Sequence, residues 1–155
     1  MSAERVFLSD KVSGHDAALV RILAAPAPQQ LRARLLKIYS ARNGLASCAA
    51  QAEIAFVHAA SSWGNTPLAP GELAVVFLNT ISGRLYEAAW NGHFLIEEID
   101  GRPHAIVKHK QLWLDAAFPP VIRAHACQDP ARPYCSAIAF DAVETYLSEL
   151  IAHSA

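Results

Sequence analysis

The sequence predicts an α+β domain: three N-terminal helices, an antiparallel β-meander of four to six strands, and a C-terminal helix packed on the sheet. Three observations predict it. Apolar residues recur at helical spacing ahead of residue 60. After Gly71 the pattern turns to β-branched and aromatic runs broken by Asn91-Gly92 and Asp100-Gly101, both hairpin-turn pairs. A capped amphipathic segment then closes the chain.

A chain of 155 residues matches one ordinary domain, and 53% hydrophobic against 17% charged residues lies far from the composition of disordered chains. The whole of 1–155 is read as a single domain. It divides into a helical part over 1–60, a connecting loop over 61–71, a meander over 72–126, a loop over 127–140 and a final helix over 141–153.

The first helix is read over Gly14 to Ala25, where Leu19, Ile22 and Leu23 share a side before Pro26 and Pro28 stop it. The second covers Pro28 to Arg42, with Leu31, Leu35, Ile38 and Tyr39 as its stripe and Arg32, Arg34 and Lys37 off it. Those three basic residues are either a solvated face or a docking patch for an acidic partner. Ser47 to Ala60 is Ala-rich and reads as a third, central helix, in which His58 is expected as a hydrogen-bonded core histidine rather than a ligand.

Glu72 to Thr80 reads as a buried strand turned by Ile81-Ser82-Gly83, although Leu73, Phe77, Ile81 and Leu85 would also fit one side of a helix. Arg84 to Trp90 then pairs with His93 to Ile99, and that strand with Arg102 to His109, through the two hairpin turns. Further strands are read at Gln111 to Asp115 and Pro120 to Ala126. Counting outward from the turns places Trp90 opposite His93 and Glu97 opposite His104. One face, with Leu85, Glu87, Phe94, Ile96, Ala105 and Val107, is expected to pack on the helices.

The other face carries Arg84, Tyr86, Trp90, His93, Arg102 and Lys108 and is the expected binding surface, since Trp, Tyr and Arg are enriched where partners dock. A solvated sheet face explains the same composition. A third reading makes Glu97, His104 and His93 catalytic candidates, an acid and base whose pKa values burial could tune. In "HACQDPARPYC", His125, Cys127 and Cys135 are potential metal ligands, but their spacing is not that of a zinc knuckle, and no metal is expected. Three cysteines fit a reducing compartment, with pairing of Cys127 and Cys135 the alternative in an oxidising one. Nucleotide-loop, zincin and hydrolase-elbow patterns do not occur, so no cofactor is expected.

Thirteen Lys and Arg against fourteen Asp and Glu leave a net charge of −1, which argues against a nucleic-acid partner. Met1 to Gly44 carries +4, however, and Leu45 to Ala155 carries −5. With neither a secretory signal nor an apolar run long enough to span a bilayer, the expectation is a cytoplasmic location and no membrane partner.

Asp141 and Glu144 have capping-box spacing ahead of Val143, Leu147, Leu150 and Ile151. The closing stretch AIAFDAVETYLSELI resembles the terminal helix of SUKH-type immunity proteins, which bind and neutralise bacterial toxins. The likeness covers 15 residues, and the segments ahead of the sheet do not show that family's other landmarks. The function expected is that of a small protein-binding protein, regulatory, inhibitory or immunity-type, that meets a partner or a second copy of itself through the aromatic and charged sheet face. The alternative is a small-molecule binder or enzyme with a Glu/His acid–base pair in a pocket between sheet and helices.

Overall fold

Alternation with period two, not helical spacing, decides the first half of the chain. In Gln30–Ile38, Leu31, Ala33 and Leu35 are buried while Arg32 between them is exposed and Arg34 half-buried. In Glu53–Val57, Ile54 and Phe56 are buried between exposed Glu53 and Ala55. Such a pattern presents one apolar face only as a strand. The computed structural model describes residues 8, 10–45, 48, 51–58, 68–88, 92–108, 118–131 and 135–154, with Asp10, Lys108 and Ser154 described by backbone alone.

The three expected N-terminal helices are therefore corrected. Their sequences form β1 (Asp16–Ala27), β2 (Gln30–Ile38) and β3 (Glu53–Val57), and the helix ahead of them is the short α1 (Asp10–Gly14). Leu31 and Leu35 satisfy a four-residue helical step and a two-residue strand step alike, and buried Ala33 between them separates the two readings. The prolines taken as helix stops shape a hairpin instead. Pro28 pre-sets its own φ and Gln29 takes φ 60, the combination of a type II turn, which lets Ala27 face Gln30.

The fold is mostly β, with two compact units. Residues 14–95 form the first, whose further strands are β4 (Leu73–Ile81), β5 (Arg84–Glu87) and the first three residues of β6 (His93–Ile99). Strand β1 pairs antiparallel with both β2 and β4, β2 with β3, and β4 with β5, while β3 and β5 run parallel. The order β1-β2-β3-β5-β4 thus returns to β1 and closes a five-stranded barrel. Three register irregularities in β1 bend this 12-residue strand around the barrel. Ser82 and Gly83, at φ 51 and 79, make the β4–β5 connection a type I′ hairpin.

Inside, Ala18, Val20 and Ile22 meet Leu35, Ala33, Val76 and Ala74 across the ladders, with Phe56 and Leu78 completing the core. Asp16 ties one end. Its carboxylate accepts from the backbone N–H of Asn43 at 2.8 Å and of Leu45 at 3.0 Å, while Gly44 between them lies against Thr80 where any Cβ would collide. Phe77 points to the other side of β4 and stacks edge-on against Phe94 at 5.7 Å.

The second unit, Met1–Ser13 with Ile96–Ala155, holds the rest of β6, β7 (Arg102–Lys108), α2 (Pro120–Arg123), β8 (Ala126–Gln128), β9 (Cys135–Ala139) and α3 (Phe140–Ser154). Asp100 and Gly101, at φ 53 and 77, form the expected type I′ turn between β6 and β7. The final helix is present too. It lies against β7 and β9, burying Val143 and Leu147, and Tyr146 packs on buried Phe118 at 6.1 Å.

Several other expectations are corrected. The sheet is not an antiparallel meander: β5 has β3 and β4 as neighbours, so Arg84 to Glu87 does not form a hairpin with His93 to Ile99. Pro120 to Arg123 is helical, and the expected loop over 127–140 contains β8 and β9. In β6, His93, Leu95, Phe94 and Ile96 are all buried, so neither face of its first half is a surface. Asn91 and the strand read at Gln111 to Asp115 lie outside the described residues. Among the described residues no helix is long and apolar enough to cross a membrane.

Ala33→Asp tests the strand assignment directly. A helix with its stripe through Leu31, Leu35 and Ile38 tolerates a charge at position 33, whereas the barrel buries it. Urea denaturation is expected to show a loss of at least about 3 kcal/mol, and an unchanged midpoint would contradict the β2 alternation.

Candidate functional site

Three strand ends deliver polar side chains into the barrel unit's interior. His58 follows β3 and continues the inward alternation of Ile54 and Phe56. Glu87 ends β5 opposite Leu78, and His93 opens β6. Their side chains are 4%, 0% and 1% exposed. Each oxygen of Glu87 holds one imidazole: His58 Nδ1 lies 2.5 Å from Oε1 and His93 Nδ1 lies 2.5 Å from Oε2. The two rings are 5.4 Å apart, and Phe56 meets His58 edge-on at 6.4 Å.

Burial pushes the Glu87 carboxyl up, but the hydrogen bonds from His58 and His93, with electrostatic attraction to both rings, outweigh it and hold the group at about 2, below the usual 4.5. An ionised carboxylate only accepts, so each Nδ1 carries a proton and donates it. For His58 the other nitrogen agrees, because Nε2 accepts from the Leu68 backbone N–H at 3.2 Å. Gly92 is required beside the carboxylate: a Cβ there would run into the Ala88 carbonyl and the Glu87 side chain.

The three groups lie within 4.8 Å of one another, close enough to suggest a metal centre. The donor geometry argues otherwise. Nitrogen and oxygen ligands at about 2.0–2.2 Å from a tetrahedral zinc stand roughly 3.3 Å apart, well beyond the 2.5 Å between these atoms. The Leu68 N–H, aimed at His58 Nε2, also opposes the tautomer that would free Nδ1 for a metal. The arrangement is a hydrogen-bonded clamp, and in it Glu87 orients His93 as a carboxylate orients the imidazole of an acid–base dyad.

Of the residues singled out from sequence, His93 enters this clamp, buried, and is not on a docking face. Arg84 and Tyr86 point outward on β5, exposed and half-buried. Arg102 is exposed on β7 in the other unit, where Glu97 and His104 are half-buried and His104 Nδ1 donates to the Arg102 carbonyl at 2.8 Å. Trp90 and the Lys108 side chain lie outside the described residues. His125 and Cys127 are exposed, Cys135 is buried, none of the three cysteines is in a disulfide, and no ligand cluster among the described residues includes them. Sequence reasoning missed Glu87 as a partner of His93. The signal available was an acid on the face read as apolar.

A second feature lies in the barrel wall. The parallel ladder registers only Phe56 with Leu85 and Val57 with Tyr86. Ahead of these pairs β3 and β5 part, and a cleft of about 290 Å³ opens between Ala55 on one side and Gly83 and Arg84 on the other. The registered rows place Gln30, Val57 and Tyr86 side by side on the outward face, with Arg32 beside Ala55 in the next row.

Because the folded Glu87 value lies below the unfolded one, the clamp's contribution is fully present above pH 4.5 and fades as pH falls toward about 2. It amounts to roughly 3 kcal/mol at full strength. Glu87→Gln is expected to lower stability at pH 7 and to flatten the stability curve between pH 4.5 and 2, read by chemical denaturation at a series of pH values. Equal slopes in variant and parent would rule out the clamp as their origin.

No family model, no curated protein and no solved structure matches this chain.

Proposed function

We propose that this is a binding protein that engages an acidic protein partner through the outward face of β2, β3 and β5. One observation carries the reading: the β2–β3–β5 register sets Gln30, Val57 and Tyr86 in one row and Arg32 beside Ala55 in the next, with Arg84 across the cleft. An aromatic ring and arginines around a small apolar centre supply contact area and orienting charge at modest entropic cost. The composition of residues 14–95 agrees, with six basic residues against four acidic, of which Asp16 and Glu87 are buried. Native mass spectrometry of the protein purified from its own cells is expected to retain a heteromeric mass. Arg32→Glu with Tyr86→Ala should weaken that complex at least about tenfold, the loss of a few charged and aromatic contacts. A partner held equally well by the double variant would overturn the face, and a mass of empty monomer alone would overturn the reading.

A second reading has its own observation, the Glu87–His93 contact at 2.5 Å, which sets His93 as the base of an acid–base pair in a small-molecule enzyme. A base must be reached by its substrate. Diethyl pyrocarbonate is expected to modify His93 in the folded protein on this reading; protection of His93 while exposed His125 and His153 react would rule it out.

A further inference from the structure

The basic side chains of the barrel unit are nearly all engaged. Arg21 donates to the Gly71 carbonyl at 2.9 Å, Arg32 and Arg34 meet Glu53 at 3.5 and 3.3 Å, and Lys37 lies over the Tyr39 ring. Arg42 also has a partner. Arg84 is the exception: it is exposed and makes no side-chain hydrogen bond or ion pair with the described residues. It stands at the cleft between β3 and β5, and the other polar side chain there, Gln30, is equally uncommitted among the described residues. The remaining walls are apolar, from Ala55, Val57 and Leu85.

We infer that this cleft is a binding site for an apolar carboxylate, its aliphatic part between β3 and β5 and its carboxylate on Arg84, with the Gln30 amide as a second donor. The chemistry follows from the lining. A guanidinium gives a planar, two-pronged donor that matches a carboxylate. The volume of about 290 Å³ lies just below the roughly 300–1,000 Å³ of pockets for drug-sized ligands, room for one aliphatic residue or a short chain. Gly83 leaves the mouth uncovered on the β5 side. The same chemistry is offered by a free aliphatic acid and by the C-terminal residue of a peptide. The inference deepens the preceding reading, since Arg84 serves both, but its test needs no protein partner, so either can fail while the other stands.

The test follows backbone amide signals of the isotopically labelled full chain during titration with N-acetyl-leucine. Saturable shifts are expected at Gln30, Ala55, Val57 and Leu85, weakened at least about tenfold with N-acetyl-leucinamide, which lacks the carboxylate, and to the same extent by Arg84→Gln. Arg84 is exposed, so the variant keeps its dispersed spectrum. The source is separated by two more probes: tighter binding of acetyl-alanyl-alanyl-leucine points to a peptide C-terminus, and binding of hexanoate as tight as N-acetyl-leucine points to a free acid. Equal binding of acid and amide, unchanged binding by Arg84→Gln, or the absence of shifts at the cleft would each overturn the proposal.

Discussion

Strand β1 is hydrogen-bonded along both edges, to β2 and to β4, and the barrel unit depends on that double pairing. A strand with two neighbours has no open edge, and closing the circle through β3 and β5 protects the unit from edge-to-edge association. It also sets the composition of β1. Ala17 and Ala18 point to opposite faces and both are fully buried, so small residues serve where both sides are covered. The weakest stretch is the one parallel pair, β3 with β5, which registers over two residues before the strands diverge. The cleft is a consequence of how the barrel closes.

Three acids are buried among the described residues, two of them answered by backbone N–H groups and the third by imidazoles. Asp16 accepts backbone N–H groups from the Asn43–Leu45 turn, and Asp129 accepts from the Ala131 N–H in the loop between β8 and β9. Neither donor can titrate, so both interactions are architectural. Glu87 instead accepts from the Nδ1 atoms of two buried imidazoles. No buried side-chain polar atom among the described residues lacks a partner. Satisfied side-chain burial of this kind among the described residues is the condition under which buried polar groups specify one arrangement rather than weakening it.

Charge is divided between the units. Residues 14–95 carry six basic and four acidic side chains, while Met1–Ser13 with Ile96–Ala155 carry seven basic and ten acidic. The division visible along the chain as a basic N-terminal part thus becomes a property of the barrel unit. Within it, Arg32 and Arg34 share Glu53, Arg21 donates to a carbonyl and Lys37 lies over a ring, whereas Arg84 makes no side-chain hydrogen bond or ion pair with the described residues.

Local chemistry determined what the sequence makes legible by itself. The Asp100-Gly101 and Ser82-Gly83 turns, the buried run of β4 and the amphipathic C-terminal helix follow from φ preferences, β-branching and apolar spacing within a few residues. Tertiary structure decided the rest. Leu31, Ala33 and Leu35 suit a strand, yet the Leu spacing also suits a helix, and only pairing with β1 and β3 chooses between them. The clamp was illegible for the same reason. His58, Glu87 and His93 are separated by 29 and 6 residues, and only a barrel that brings the ends of β3 and β5 and the start of β6 together makes one site of them. Turns and caps are settled by neighbours along the chain, whereas β-pairing and buried polar partners are settled by contacts that exist only once the barrel has closed.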